Sequence, residues 1–211
     1  MCGNASRCVG LFAFENCIGG RHQRVGTDAG IITVDVLESD SGQGTVCVHL
    51  TEPKDRIPSV WVDLPGGCRV ECFKVDTGVP HAVVFVDDVA AVDVDKEGRL
   101  IRFADVFAPA GVNVDFVQVA LNGGAYAMRT YERGVEGESG ACGTGAVAAG
   151  VAMAEKRGIK LPVVFQVSSG DYLAVDGAVG ESGLCHEMTL TGPARKVFEG
   201  YMDTAWVDEQ P

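Results

Sequence analysis

Short apolar runs rich in β-branched residues recur along the chain between clusters of Gly, Pro, Asp and Ser. They are Ile31 to Leu37, Thr45 to Leu50, Val60 to Leu64, Arg69 to Val75, Ala82 to Val86, Val112 to Val119, Val163 to Val167, Glu187 to Leu190 and Lys196 to Tyr201. Each predicts a strand, because branched side chains pack well on a pleated, half-buried surface. Several alternate with period two, as in Ile32-Thr33-Val34-Asp35-Val36 and Val112-Asn113-Val114-Asp115-Phe116, the pattern of strands with one buried face. The connections are too short for repeated helical crossovers, which disfavours a βαβ sheet and favours antiparallel pairing.

Two stretches break this pattern and predict helices, Ala5 to Cys17 and Gly145 to Arg157, each preceded by a Cys-Gly pair. The second has no polar face through Ala146-Val147-Ala148-Ala149-Gly150-Val151-Ala152-Met153-Ala154, so it must be enclosed by other elements. Superposing Cys2-Gly3-Asn4-Ala5 on Cys142-Gly143-Thr144-Gly145 brings Glu15 onto Glu155 at the same offset of 140 residues. The chain thus reads as α+β, two halves built alike, each a curled sheet around a central helix. A polar, Pro-containing stretch near Thr51-Glu52-Pro53-Lys54 marks the boundary. The expected units are residues 1–52 with 192–211, and 53–191.

The 211 residues, 46% of them hydrophobic and 22% charged, have the composition of a globular chain and exclude disordered and fibrous classes. A net charge of −12 and no basic patch argue against nucleic-acid and membrane-surface partners. No apolar run approaches the ~20 residues of a membrane span and no export signal precedes one, so a cytoplasmic location is the expectation. In that setting the eight cysteines read as reduced thiols, and Cys68 and Cys72 have no second pair with which to hold a metal, so no metal site is expected.

A cysteine at a helix N-terminus faces unpaired N–H groups and the positive end of the dipole, which predicts a depressed thiol pKa and a thiol able to act as a base. The same N–H groups suit a carboxylate. If both helix starts faced one cleft, one thiolate would remove an α-proton while the opposite thiol supplied one, inverting the stereocentre.

Six segments occur in the order expected of diaminopimelate epimerases. They are Met1-Cys2-Gly3-Asn4-Ala5-Ser6-Arg7-Cys8, Thr77-Gly78-Val79-Pro80-His81-Ala82, Asn113-Val114-Asp115-Phe116-Val117, Tyr131-Glu132-Arg133-Gly134, Ala141-Cys142-Gly143-Thr144-Gly145-Ala146 and Leu190-Thr191-Gly192-Pro193-Ala194. The chain resembles that family from Cys2 to its end. The resemblance implies the diaminopimelate-epimerase-like fold and cofactor-independent epimerisation of LL- to meso-diaminopimelate, for lysine and peptidoglycan precursors, without pyridoxal phosphate. It implies Cys2 and Cys142 as paired acid and base. Gly3, Asn4, Gly143 and Thr144 would hold the α-carboxylate and amino group. His81 and Glu132 would hold or exchange protons with the thiols, Glu132 also touching substrate. Arg133 and Asn113 would meet the distal carboxylate. Taken singly, His81 reads as a turn histidine, Glu132-Arg133 as a surface ion pair and Asn113 as a strand-end amide; their joint order overturns those readings. A homodimer stays open.

Two departures stand out. Family members carry a substantial segment ahead of the first Cys-Gly-Asn, so an incomplete first domain, weak activity and exposed Leu11, Phe12 and Phe14 are expected. Val79 replaces an expected Asn at the distal end of the substrate, so a related racemase acting on another amino acid is the first alternative and an inactive remnant the second.

Overall fold

The computed structural model describes residues 2–27, 30–122 and 124–201, so the last ten residues of the 192–211 segment lie outside the described residues. In chain order the elements are α1 (Gly3–Glu15), β1 (His22–Thr27), β2 (Gly30–Asp40), β3 (Gln43–His49), β4 (Lys54–Asp63), β5 (Arg69–Asp76), β6 (Pro80–Val86), α2 (Val94–Arg102), β7 (Asn113–Asn122), β8 (Ala125–Glu132), β9 (Gly137–Ser139), α3 (Gly143–Arg157), β10 (Val163–Gln166), β11 (Tyr172–Val179) and β12 (Cys185–Arg195). One twisted path of hydrogen-bonded strands runs β1-β2-β3-β12-β11-β10-β8-β7-β6-β5-β4, with β9 added to β8. Pairing is antiparallel except between β6 and β7 and between β8 and β10. The expected α+β architecture is present.

The apolar pattern of α3 is resolved by enclosure. Every residue from Gly143 to Met153 is buried, and the helix packs against β5, β6 and β7 on one side and β11 and β12 on the other. The sheet therefore curls round α3, burying Phe73, Val83, Val117, Phe165, Val175 and Leu190 against it. The opposite face of β7 and β8 is covered by α2, whose Ile101 joins Phe116 and Tyr131 in a second core that also takes in Cys72, Ala82 and Val84 from β5 and β6. Strands covered on both faces explain why Ala82 to Val86 is continuously apolar instead of alternating.

The other helix, α1, lies on β2, β3 and β12, with Leu11 packed against Val34, Val36 and Val46. Phe12 on its far side is exposed, Phe14 is half-buried, and Leu11, contrary to expectation, is only 4% exposed because it faces the sheet. The two helices repeat each other in detail. Cys2 and Cys142 are their N-caps, with φ, ψ of −121°, 118° and −115°, 109°. Glu15 accepts from the backbone N–H of Gly42, and Glu155 accepts from that of Cys185. Strand β12 is shared, pairing with β3 on one side and β11 on the other. Residues Lys196 to Tyr201 are not a strand, because β12 ends at Arg195. Among the described residues no helix is long and apolar enough to cross a membrane.

Candidate functional site

The N-termini of α1 and α3 meet. A Cβ built on Gly143 would stand 3.4 Å from the Gly3 Cα, in contact with the other helix start, and 2.7 Å from Leu190 Cδ2, which would have to shift to admit it. Asn4 locks the junction by donating from Nδ2 to the Ala141 carbonyl at 2.8 Å. Two positive dipole ends thereby converge on one small cavity of about 110 Å³.

That cavity is lined by Cys2, Gly3 and Asn4 from one helix start, Ala141, Cys142, Gly143 and Thr144 from the other, and Val79, Asn113, Glu132 and Arg133 from the strands around α3. All the expected site residues except His81 are on its wall. A larger groove of about 810 Å³ runs along α1 past Phe12 and Phe198, and neither Cys2 nor Cys142 lines it.

The strands deliver these groups by register. In the parallel β6–β7 pair, His81 lies opposite Asn113, and Asp115 follows two residues later on the same face of β7. Glu132 ends β8 and Arg133 follows it, its backbone N–H donating to Asn113 Oδ1 at 2.7 Å. The Arg133 side chain is half-buried and makes one long contact, from Nη1 to the Ala110 carbonyl at 3.4 Å. Among the described residues no carboxylate pairs with it.

Behind Cys142 lies a buried polar chain. Its sulfur is 3.5 Å from Thr144 Oγ1, which is 3.0 Å from His81 Nε2. His81 Nδ1 is 2.7 Å from Asp115 Oδ2, and Thr130 donates to Asp115 Oδ1 at 2.8 Å. Thr77 secures the same turn by donating to the Thr144 carbonyl. His81 therefore reaches the thiol through Thr144, and its ring nitrogens face Asp115, Thr144 and Asn113.

The depressed thiol pKa expected from helix position does not hold at Cys142. Burial, the charge of Asp115 and the charge of Glu132 push it up to about 12, outweighing the Thr144 hydroxyl and the Gly145 N–H that favour the thiolate. Cys142 is 5% exposed, whereas Cys2 opens to solvent. Desolvation overrides the dipole because the dipole supplies only a partial charge.

Arg7, Thr77, Asp115 and Thr130 were not among the residues expected at the site. Arg7, one turn into α1, is buried and donates to the carbonyls of Gly3 and Pro193 and to Asn4 Oδ1. Its signal is a charge four residues after Gly3 in a helix with no other charge before Glu15, and that of Asp115 is its place on the same strand face as Asn113.

The model of the family described as "Diaminopimelate epimerase" matches residues 73–197. The diaminopimelate epimerase of Aquifex aeolicus is 44% identical over 202 residues, 95% of this chain and 68% of that protein. That of Methanocella arvoryzae is 38% identical over 96% of this chain and 71% of its own. Among solved structures, a probable proline racemase from Agrobacterium radiobacter superposes with a TM-score of 0.70 at 20% identity, over 97% of this chain and 68% of that one. A hydroxyproline epimerase from Agrobacterium vitis gives 0.70 at 18% identity, over 93% and 66%. The likeness of these two establishes the fold, and the sequence matches go further: the chain belongs to the diaminopimelate epimerase family.

Proposed function

We propose that the protein interconverts LL- and meso-diaminopimelate by two-base proton transfer between Cys2 and Cys142, with no cofactor. The observation that carries this reading is the meeting of two cysteine-capped helix N-termini at a single cavity that also contains Arg133, which pairs with no carboxylate among the described residues. The substrate α-carboxylate sits against the N–H groups of Gly3, Asn4, Gly143 and Thr144, where both dipoles stabilise the charge that builds on it as the α-proton leaves. One sulfur, as thiolate, takes that proton, and the other, as thiol, delivers one to the opposite face. Protons balance, the two sulfurs exchange protonation states, and no electron acceptor is needed.

Glu132 lines the same cavity and is the carboxylate placed to receive the substrate amino group. Arg133 offers its guanidinium to the distal carboxylate, a match for a planar fork of donors, and Asn113 holds the Arg133 backbone in place. His81, buried behind Thr144, is a positioning residue in this scheme. The site lies where two units join, residues 1–52 with 192–211 and residues 53–191. Free facing thiols fit a reducing compartment, which supports a cytoplasmic location.

A second reading has one observation in its favour. Val79, on the cavity wall, presents no hydrogen-bonding side chain to a distal polar group, so the family chemistry could serve another amino acid. One experiment separates the two. The protein is incubated in D₂O with LL-diaminopimelate, meso-diaminopimelate, proline, hydroxyproline and glutamate, and deuterium at Cα is followed by mass spectrometry. The expected result is exchange and stereoinversion confined to diaminopimelate, and loss of exchange by at least about a hundredfold in Cys2→Ser and in Cys142→Ser, because hydroxyls are far weaker acids than thiols. Exchange with another substrate alone selects the second reading, and unchanged exchange in either serine variant removes the two-thiol scheme.

A further inference from the structure

The partners in the buried chain behind Cys142 point to one arrangement of hydrogens. The Arg133 backbone N–H can only donate, so the Asn113 atom it meets at 2.7 Å is the amide oxygen. The Asn113 nitrogen then faces the Pro80 carbonyl at 3.4 Å and His81 Nε2 at 3.5 Å. The Asn113 nitrogen can only donate toward Nε2 and the Asp115 carboxylate can only accept at Nδ1, so these partners favour a ring proton on Nδ1, aimed at Asp115 Oδ2, with Nε2 left as acceptor. With Nε2 an acceptor, the Thr144 hydroxyl donates to it, and the Thr144 oxygen accepts from the Cys142 S–H. Thr130 occupies the other Asp115 oxygen, so the carboxylate, fully buried, has no freedom to turn away.

We propose that Asp115 is a positioning residue for the reaction. By fixing the His81 tautomer it sets the Thr144 hydroxyl as a two-way switch beneath the Cys142 sulfur. In the resting arrangement the hydroxyl accepts the thiol proton and points its own hydrogen at His81. When Cys142 has given its proton to the substrate carbon, the same hydroxyl turns and donates to the new thiolate. A two-base reaction visits both protonation states of each sulfur, so a group able to partner either state lowers the barrier between them. Among the described residues no counterpart of this chain stands behind Cys2, where Arg7 lies instead. The groups facing the Cys142 sulfur are Asp115 from β7, Glu132 from β8, Thr144 and the Gly145 N–H from α3; the two carboxylates disfavour its ionisation and the other two favour it.

This inference rests on the two-thiol reading for its catalytic part, and its test contains measurements that do not. The first is the long-range ¹H–¹⁵N spectrum of histidine-labelled protein, with the four histidines, His22, His49, His81 and His186, distinguished by a His81→Gln variant. The expected signature for His81 is a neutral ring protonated at Nδ1. A ring protonated at Nε2, or at both nitrogens, overturns the proposal whatever the enzyme does. The second is alkylation of Cys142 by iodoacetamide near ~pH 9, read at the peptide level. Asp115→Asn removes a charge and keeps the shape, and it should raise this rate by about fivefold or more, because only the thiolate reacts. An unchanged rate in a folded Asp115→Asn protein overturns the electrostatic part.

The third is kinetic. Asp115→Asn and Thr144→Val should each lower kcat for α-deuterium exchange by at least about tenfold with KM within about twofold, and Thr144→Ser should recover most of the loss. Equal losses in Thr144→Ser and Thr144→Val would reduce Thr144 to packing and overturn the switch. If the unmodified protein exchanges no diaminopimelate proton, the two-thiol reading fails on its own, while the histidine spectrum and the alkylation rates still decide the hydrogen-bond chain.

Discussion

Cys2 and Cys142 occupy the same place in the same motif and differ in what stands behind them. Both cap helices with closely similar backbone angles, yet one faces solvent and has the buried guanidinium of Arg7 nearby, while the other is sealed against Asp115 and Glu132. A reagent that needs the thiolate should report this difference. Cys142, held near a pKa of about 12, is overwhelmingly protonated at neutral pH, and its thiolate fraction grows about tenfold for each pH unit below that value. Its alkylation rate is therefore expected to climb without levelling between about pH 7 and pH 10, when followed by peptide mass mapping. A plateau before pH 9 would show that the sulfur is far more acidic than its surroundings imply. The motif alone could not disclose this, because a Cys-Gly helix start carries the dipole argument but says nothing of which partner is buried; that depends on Asp115, brought in from another strand.

The elements that the chain announces most clearly are those with an unbroken apolar signal. The enclosure of α3 was legible because it has no polar face, and β2, β3, β5, β6 and β7 followed from alternation or from continuous apolar runs. Both long helices begin two residues earlier than their apolar stretches, at Gly3 and Gly143, since glycines tolerated in the first turn carry no helical signal. Strands β1, β8 and β11 were missed where Arg, Gly and Asp interrupt the pattern, and β12 was read too short and then wrongly resumed after Lys196. Helix α2 was missed although its caps are written in the chain: Asp93 accepts from the Lys96 N–H, with Asp95 and Glu97 in the first turn and Arg99 and Arg102 in the last. Gly98, in its middle, hides it. That glycine is there for packing, because a Cβ would fall 2.4 Å from Tyr131 Cβ and 2.7 Å from its Cγ. Gly98→Ala thus sets a helix-propensity gain of up to ~1 kcal/mol against an overpacking cost of about 1–3 kcal/mol. The clash is with the ring root, which cannot swing aside, so the variant is expected to melt at lower temperature than the parent by calorimetry. A higher melting temperature would mean that α2 rides on the sheet more loosely than its contacts indicate.

Because β12 hydrogen-bonds to both β3 and β11, the strands around α1 and those around α3 are coupled through one shared strand. The buried thiols turn that coupling into a pH dependence. Burial pushes Cys72 up to about 12, Cys142 up to about 12 and Cys185 up to about 11. Unfolding returns each to an ordinary value of ~8.5. Below that pH the thiols are protonated in both states and contribute no difference. Above it the unfolded chain has released protons that the folded chain still holds, so stability falls as pH rises, and the fall continues until the folded-state values near 11 to 12 are reached. Each fully buried thiol contributes a slope of up to about 1.4 kcal/mol per pH unit, which is large against a typical total of ~5–15 kcal/mol. The melting temperature should therefore decline progressively from about pH 8.5 to pH 10.5. Cys72→Ala isolates one contributor: it leaves a small cavity and lowers the melting temperature at every pH, but it removes one thiol from the slope. The readout is the steepness of the decline rather than its level. A shallower decline in Cys72→Ala than in the parent is the expected result, and parallel curves would show that Cys72 ionises in the folded sheet as readily as it does in the unfolded chain.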